Sequence, residues 1–199
     1  MPVERRVRLT PDERRAQLVA TGVNFLSDHP LDELTIDELA ERAGVSRALI
    51  FHYFETRQGM HRAVVTTARD ALLTATEPRP ELPPRERVRD TLERIAMFVR
   101  EHRGTFFSLV RGVASGDPAV RAVVDQSRER NAAHLLEALV EAGEPDSRAL
   151  RITLRAWVSF AEEIFVTLAV DEDADRDAVV AFLERSLEAA VAAARGAEF

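Results

Sequence analysis

Residues 35–57, TIDELAERAGVSRALIFHYFETR, constrain the fold of this chain more than any other stretch. Thr35 followed by Glu38 has the pattern of a capping box, which predicts that a helix begins there. One apolar stripe at helical spacing follows, formed by Ile36, Leu39, Ala40 and Ala43. Gly44 tolerates the positive φ that a sharp helix exit often needs, and Ser46 is a good N-cap for a second helix. The stretch therefore predicts a helix-turn-helix motif.

The outward face of the second predicted helix carries a small residue and a polar one. With Ile50 placed inward, a rotation of about 100° per residue turns Ala48 and His52 almost directly outward. Leu49 and Phe51 then lie on the flanks of this outward face. A small alanine at its centre lets the backbone approach another surface closely.

The side chains on this helix suit DNA. Arg47 can bond guanine edges or phosphates, and Ala48 or Leu49 can touch a thymine methyl group. His52 can donate to a phosphate or a base edge, and the hydroxyl of Tyr53 suits a phosphate oxygen. An ordinary helical hairpin with a solvated face would also fit the charge pattern, but the aromatic cluster at the end of so short a helix favours DNA binding.

The stretch closely resembles the DNA-binding domain of the tetracycline-repressor (TetR) family. The resemblance covers about 50 residues near the N-terminus, and the matching residues are Thr35-Ile36, Leu39-Ala40, Ala43-Gly44-Val45-Ser46, Ile50-Phe51-His52-Tyr53-Phe54 and Arg57. It implies a dimeric transcription factor with a helical ligand-sensing domain, and repression is the commoner outcome in such a family.

Two positions depart from the family's usual pattern. The family usually has a tyrosine, whose hydroxyl contacts a phosphate, where this chain has Phe51, and it usually has a lysine where Arg57 stands. Losing one phosphate contact should weaken DNA binding without changing specificity, and arginine keeps the charge of lysine with a different geometry. Pattern and resemblance together predict a DNA-binding set of Thr35, Ser46, Arg47, Ala48, Leu49, Phe51, His52, Tyr53 and Arg57.

The charge distribution supports this interpretation although the net charge is −7. Residues 1–15 carry five arginines and three acids, and residues 42–69 carry five arginines and one acid. Residues 70–199 carry 17 arginines and 24 acids, so we expect this acidic part to face away from DNA. The arginines of residues 1–9 form a basic arm that could meet the phosphate backbone or the adjacent minor groove.

Several other classes of protein find no support in the sequence. There is no cysteine, P-loop, dinucleotide fingerprint or GxSxG motif, so we expect no enzyme, no catalytic residue and no cofactor. His134 and Glu137 have i, i+3 spacing, but nothing completes a metal site. No apolar run reaches about 18 residues and the N-terminus lacks a signal-peptide core, so we expect a cytoplasmic protein that does not enter the membrane.

Helical periodicity and turn signals predict an all-α fold of about nine helices. A three-helix domain over 1–57, with the basic arm at 1–9, precedes a helical ligand-binding and dimerisation domain over 58–199. The segment 77–84 holds four prolines, which makes it the clearest loop and the expected hinge region.

The last two predicted helices, over 147–170 and 176–196, are the expected homodimer interface. The first is apolar nearly all round, and small residues at Ala181, Ala190 and Ala194 would permit close packing in the second. Two helices from each subunit would form the four-helix bundle usual in the resembled family. Such a dimer would place two recognition helices in successive major grooves and predicts a palindromic operator on double-stranded DNA.

The expected small-molecule effector has less support. Polar residues scattered among the apolar ones of the C-terminal helices would mostly lie on the surface. If a cavity exists, Glu163 or Glu162 beside aromatic residues would suit a cationic, partly aromatic molecule. The predicted ligand-binding set is Phe98, Phe106, Phe107, Trp157, Phe160 and Glu163. The sequence thus favours a repressor released from its operator by a ligand, and the alternative is a helical DNA-binding or interaction protein without a ligand.

Overall fold

The computed structural model of the protein describes residues 9–111, 117–171 and 173–197, and their fold is all-α, as predicted. The expected basic arm lies almost entirely outside the described residues, as does Gly116, which the sequence places before a helix start. In chain order the described helices are α1 (Pro11–Phe25), a 3-10 turn (Leu31–Glu33), α2 (Ile36–Ala43), α3 (Arg47–Phe54), α4 (Arg57–Ala75), α5 (Pro84–Glu101), α6 (Arg103–Arg111), α7 (Pro118–Glu141), α8 (Arg148–Val170) and α9 (Arg176–Ala194).

Short polar side chains begin most of these helices by capping their first free amides. Thr10 and Glu13 form a complete capping box at α1. At α2 only half of the predicted box forms, because Thr35 accepts the amide of Glu38 whereas the carboxylate of Glu38 pairs with Arg42. An arginine one turn along the helix thus takes the carboxylate that the box would have used.

The N-terminal half of α4 completes the core of the N-terminal head, by which we mean α1, α2 and α3. Met60, Val64 and Val65 of α4 are fully buried in the same apolar cluster as Leu18 and Leu39. Burial of such side chains is the main favourable contribution to folding, so α4 and the head are stabilised by one shared core. Leu109, Val120 and Val123 from the C-terminal part of the chain join this cluster.

Helix α8 forms the centre of the C-terminal part. It contacts α5, α6, α7 and α9, and its buried face includes Leu154, Trp157 and Phe165. The opposite face keeps apolar side chains in solvent, among them Ile152 and Phe160. Helix α8 is therefore apolar on two sides, as predicted, and one of these sides is covered within the chain.

The proline-rich segment 77–84 is held against α5. No helix forms between Glu77 and the start of α5, as the prolines predicted. Arg94 donates to the carbonyl oxygens of Ala75 at 2.9 Å and Glu77 at 2.7 Å, and Arg87 donates to two further carbonyl oxygens of the segment. The loop expected to act as a hinge is thus hydrogen-bonded to the helix that follows it.

Within the described part of the chain, no helix is both long and apolar enough to cross a membrane.

Candidate DNA interface and ligand cavity

The tight turn between α2 and α3 positions the recognition helix α3. Gly44 ends α2 with φ 63° and ψ 38°, the left-handed conformation that glycine adopts at low cost. The hydroxyl of Ser46 then accepts the amide of Leu49 at 3.3 Å and caps α3. Ile50 is fully buried and anchors the inner face of the helix to the head.

The outer face of α3 is open to solvent. Arg47, Ala48 and His52 are exposed, and so is Phe51, whereas Leu49 is half-buried. This is the arrangement that the sequence predicted for the outward face. A helix with an exposed alanine between an arginine and a histidine can enter a major groove, where its side chains would reach base edges.

Arg47 has an ion pair that DNA would have to displace. Its Nε lies 2.7 Å from a carboxylate oxygen of Asp37 on α2, and both side chains are well exposed. An exposed pair of this kind contributes little to stability, so its loss costs little.

Tyr53 is half-buried, with its ring edge-on to the His52 ring at 5.2 Å.

Three of the predicted DNA-binding residues also make structural hydrogen bonds. The hydroxyls of Thr35 and Ser46 cap α2 and α3. Arg57 donates from Nε to the carbonyl oxygen of Leu34 at 3.3 Å and from Nη2 to that of Asp32, so it ties α4 to the 3-10 turn. DNA contacts by these residues stay predictions, and Arg57 would have to share its donors with those carbonyl oxygens.

A cavity of about 120 Å³ lies between α4, α5, α6, α7 and α8. Its wall is mainly apolar, as is typical of small-molecule sites. The apolar side chains of the wall include Leu72, Val88, Leu92, Ile95, Phe106, Leu109, Val123, Leu135, Trp157, Val158 and Phe165.

Two of the six predicted ligand-binding residues line this cavity. They are Phe106 of α6 and Trp157 of α8, both of which are buried. The indole N–H of Trp157 donates to the hydroxyl of Ser186 on α9 at 2.9 Å. This bond satisfies the one polar group of the side chain, as a buried tryptophan requires.

The other four predicted residues lie outside the wall of this cavity, and ligand contacts by any of the six stay predictions. Phe98 packs on the His102 ring at a centroid distance of 4.6 Å. Phe107 is exposed, because neighbouring residues on a helix point about 100° apart and Phe106 takes the inner position. Phe160 is exposed beside the ring of Phe182.

Glu162 lines the cavity in place of Glu163, which is exposed. A carboxylate oxygen of Glu162 accepts from Nε of Arg128 at 2.7 Å. Burial raises the pKa of Glu162 above its ordinary value, and the bond with Arg128 opposes that shift. Because Arg128 already neutralises this carboxylate, the cavity offers little attraction to a cationic molecule.

A polar stripe on α7 also faces the cavity. Ser127, Asn131 and His134 line it at spacings of four and three residues, which place them on one face of the helix. The sequence interpretation expected most polar residues of the C-terminal helices, a set that includes Asn131 and His134, to lie on the surface. The helical spacing of these two could have indicated a shared face. Thr91 and Arg87 of α5 add further polar groups to the wall, as do Arg69 and Thr76, and the sequence interpretation named none of these four.

No group of three or more histidine, aspartate or glutamate side chains in the described ranges is placed to hold a metal ion.

The comparisons with known proteins agree with this architecture. The family model described as "Bacterial regulatory proteins, tetR family" matches residues 18–64, and that described as "Tetracyclin repressor-like, C-terminal domain" matches residues 84–190. A crystal structure of a TetR-family transcriptional regulator from Streptomyces coelicolor is 28% identical, with a TM-score of 0.81 over 94% of this chain and 83% of that one.

Two curated relatives match over shorter stretches. The HTH-type transcriptional regulator EthR of Mycobacterium tuberculosis is 33% identical over 73 residues, or 37% of this chain and 32% of EthR. The HTH-type transcriptional activator FasR of Mycolicibacterium smegmatis is 31% identical over 111 residues, or 52% of this chain and 48% of FasR. The matches thus span a third to a half of these relatives. Since the C-terminal family model alone covers more than half of the chain, the protein belongs to the TetR family of bacterial transcriptional regulators.

Proposed function

We propose that this protein is a dimeric repressor that binds a palindromic operator through α3 and is released when a small molecule enters the cavity. The observation that carries the proposal is the course of α4. Its first half, with Met60 and Val64, lies in the core of the N-terminal head, and its second half, with Leu72 and Leu73, lies in the cavity wall. A ligand that moves the wall would therefore move the head.

The exposed apolar face of α8 and α9 supports dimerisation. Phe160 and Phe182 are exposed with ring centroids 6.0 Å apart, and Ile152 and Val170 of α8 are exposed as well. Exposed apolar side chains that lie close together favour burial against a second protein surface. The three small residues predicted for the dimer interface differ in burial. Ala194 is buried in the core of its own chain, whereas Ala181 and Ala190 are half-buried and could still contact a second subunit.

A dimer through these two helices would be two-fold symmetric. The two α3 helices would then reach major grooves about 34–36 Å apart, and the DNA site would be an inverted repeat. A ligand-induced change in this spacing would cost base contacts worth about 1–3 kcal/mol each. Thermodynamic linkage requires DNA to weaken ligand binding by the same factor.

DNA binding is tested by selection from random duplexes, followed by fluorescence anisotropy on the selected duplex and on DNA upstream of the protein's own gene. We expect an enriched inverted repeat and binding that weakens as salt rises, since phosphate contacts release counterions. The double variant Arg47→Ala, His52→Ala should lose preference for the repeat over a scrambled duplex and remain dimeric.

The matched control is Arg85→Ala, which removes one exposed charge in the first turn of α5, outside both the recognition helix and the proposed dimer helices. It should bind the repeat as the wild-type does. Equal affinity of the wild-type for the repeat and the scrambled duplex would contradict the proposal, and normal preference in the double variant would show that α3 is not the reading element.

A further inference from the structure

Two residues of the cavity wall, one turn apart on α5, each carry an unpartnered hydrogen-bond donor. Nε of Arg87 and Oγ1 of Thr91 are both shielded from solvent, and neither has a hydrogen-bond partner among the described residues. A buried polar group without a partner destabilises a fold, so a pair of them on one face of α5 requires an explanation. The guanidinium Nε can only donate, and a hydroxyl can donate as well, so an acceptor atom in the cavity would satisfy both.

The rest of the Arg87 side chain is fixed in place. Nη1 donates to a carboxylate oxygen of Glu141 at 2.8 Å, and Nη2 donates to the carbonyl oxygens of Leu82 at 2.9 Å and Pro80 at 3.0 Å. These bonds hold the guanidinium plane and therefore hold the direction of its Nε–H. A donor fixed in this way is preorganised for a ligand, which reduces the cost of binding.

The charges of the cavity wall cancel within the protein. Each arginine and glutamate of the wall has an oppositely charged partner, in the pairs Arg69 with Asp70, Arg87 with Glu141 and Glu162 with Arg128. A charged ligand would bring an uncompensated charge into a largely apolar space, which is unfavourable. A carboxylate ligand at Arg87 would lie close to the carboxylate of Glu141, and the like charges would repel. An ammonium ligand would have to compete with Arg128 for Glu162.

The cavity is small. Its volume of about 120 Å³ is comparable to the engineered apolar cavity of about 150 Å³ that holds benzene. We propose that the cavity takes a small, uncharged, mostly apolar molecule whose carbonyl-type oxygen accepts hydrogen bonds from Arg87 and Thr91. This inference rests on the proposed function and names the chemistry of the effector that it requires.

Three probes with six-carbon chains and different head groups test the proposal: 2-hexanone, hexanoate and hexylammonium. Trp157 is the only tryptophan of the chain and lines the cavity, so its fluorescence reports binding directly. We expect 2-hexanone to bind at least about fivefold more tightly than either charged probe, since it alone offers an acceptor without a charge.

The variant Thr91→Val replaces the hydroxyl by a methyl group of similar size. We expect it to weaken binding of 2-hexanone about three- to tenfold. The melting temperature of the ligand-free variant should equal or exceed that of the wild-type, because an unpartnered buried hydroxyl has been removed. The matched control is Thr74→Val, an exposed position of α4 outside the cavity wall, which should change neither quantity.

Tighter binding of hexanoate or hexylammonium would overturn the proposal, as would the absence of a Trp157 response to all three probes or unchanged ketone affinity in Thr91→Val. Operator anisotropy separates this inference from the proposed function. If 2-hexanone binds and the operator stays bound, the ligand chemistry stands and the effector role fails. If hexanoate instead releases the operator, the effector role stands and the inference about an uncharged ligand fails.

Discussion

Nε2 of His61 lies 2.7 Å from the carbonyl oxygen of Leu34 and joins α4 to the segment that precedes the helix-turn-helix. His61 is buried, and because a carbonyl oxygen only accepts, Nε2 must carry the proton of this bond. Arg57, one turn earlier on α4, donates to the same carbonyl oxygen. These two side chains connect the helix that reaches the cavity with the helices that would reach DNA.

We predict that acid destabilises the protein through His61. Burial lowers the pKa of His61 below its ordinary value, and the bond to Leu34 opposes only part of this shift. The unfolded chain takes up a proton on this side chain near pH 6.5 and the folded protein only at lower pH. The free energy of unfolding should therefore fall as the pH drops below about 6.5.

Urea denaturation at pH 7.5 and pH 5.5 measures this effect. His61→Gln keeps a donor for Leu34 but does not titrate, so it should lose less stability between the two pH values than the wild-type. His52→Gln, at an exposed histidine of α3, is the control and should behave as the wild-type does. Equal pH dependence in all three proteins would refute the assignment to His61.

A second prediction concerns the contact between α1 and α6. A methyl group added at Gly104 would overlap the backbone carbonyl oxygens of Leu26 and Ser27, so only glycine fits where the start of α6 meets the end of α1. Gly104→Ala should lower the free energy of unfolding by about 1–3 kcal/mol, because backbone atoms must move. Gly196→Ala meets open space and should stay within about 0.5 kcal/mol of the wild-type in the same urea titration.

A third prediction tests the dimer face. The double variant Phe160→Glu, Phe182→Glu places charges where the second subunit is proposed to pack, and should raise the dimer dissociation constant at least about a hundredfold. Light scattering across a dilution series measures this. Phe107→Glu alters another exposed phenylalanine, on α6, and should leave the dimer intact. A dimer unaffected by the double variant would place the interface on other helices.

The fourth prediction compares two ion pairs that both join α7 to α8. Arg128 and Glu162 are mostly buried and 2.7 Å apart, whereas Glu129 and Arg155 are well exposed and 3.3 Å apart. Glu162→Ala leaves the partly buried Arg128 with only its longer ion pair to Asp125, at 3.5 Å, and should destabilise the protein by about 1–3 kcal/mol. Glu129→Ala should cost less than about 1 kcal/mol. Similar urea midpoints for the two variants would contradict the burial argument.

The helices and the recognition face follow from local signals in the sequence. The helix predicted over 147–170 is observed as Arg148–Val170, with Ser147 as its cap, and Gly44 has the left-handed conformation that the turn required. Ala48 is exposed where the helical rotation placed it. Caps, turns and helical periodicity depend on residues within a few positions of each other, and a linear pattern records such relationships.

The cavity was predictable only in part. Phe106 and Trp157 line it as expected, but Glu162 takes the place of Glu163 and Phe107 points to solvent. Each of these differences is a displacement of one residue along a helix, which turns a side chain by about 100°. The sequence shows that a helix is amphipathic more reliably than it shows which flank residue faces a neighbouring helix.

The sequence by itself determined the helical class, the order of the helices, the motif that places this chain in its family and the outward face of α3. Only the tertiary structure decided which side chains meet in the cavity and that Arg57 binds the carbonyl oxygens of Asp32 and Leu34. It also decided that Arg87 and Thr91 each keep a donor with no partner among the described residues. The physical reason is the separation along the chain of the residues that interact. A helix cap is satisfied within three or four residues, whereas burial and partners are set by helices that lie far apart in the chain and are brought together by packing.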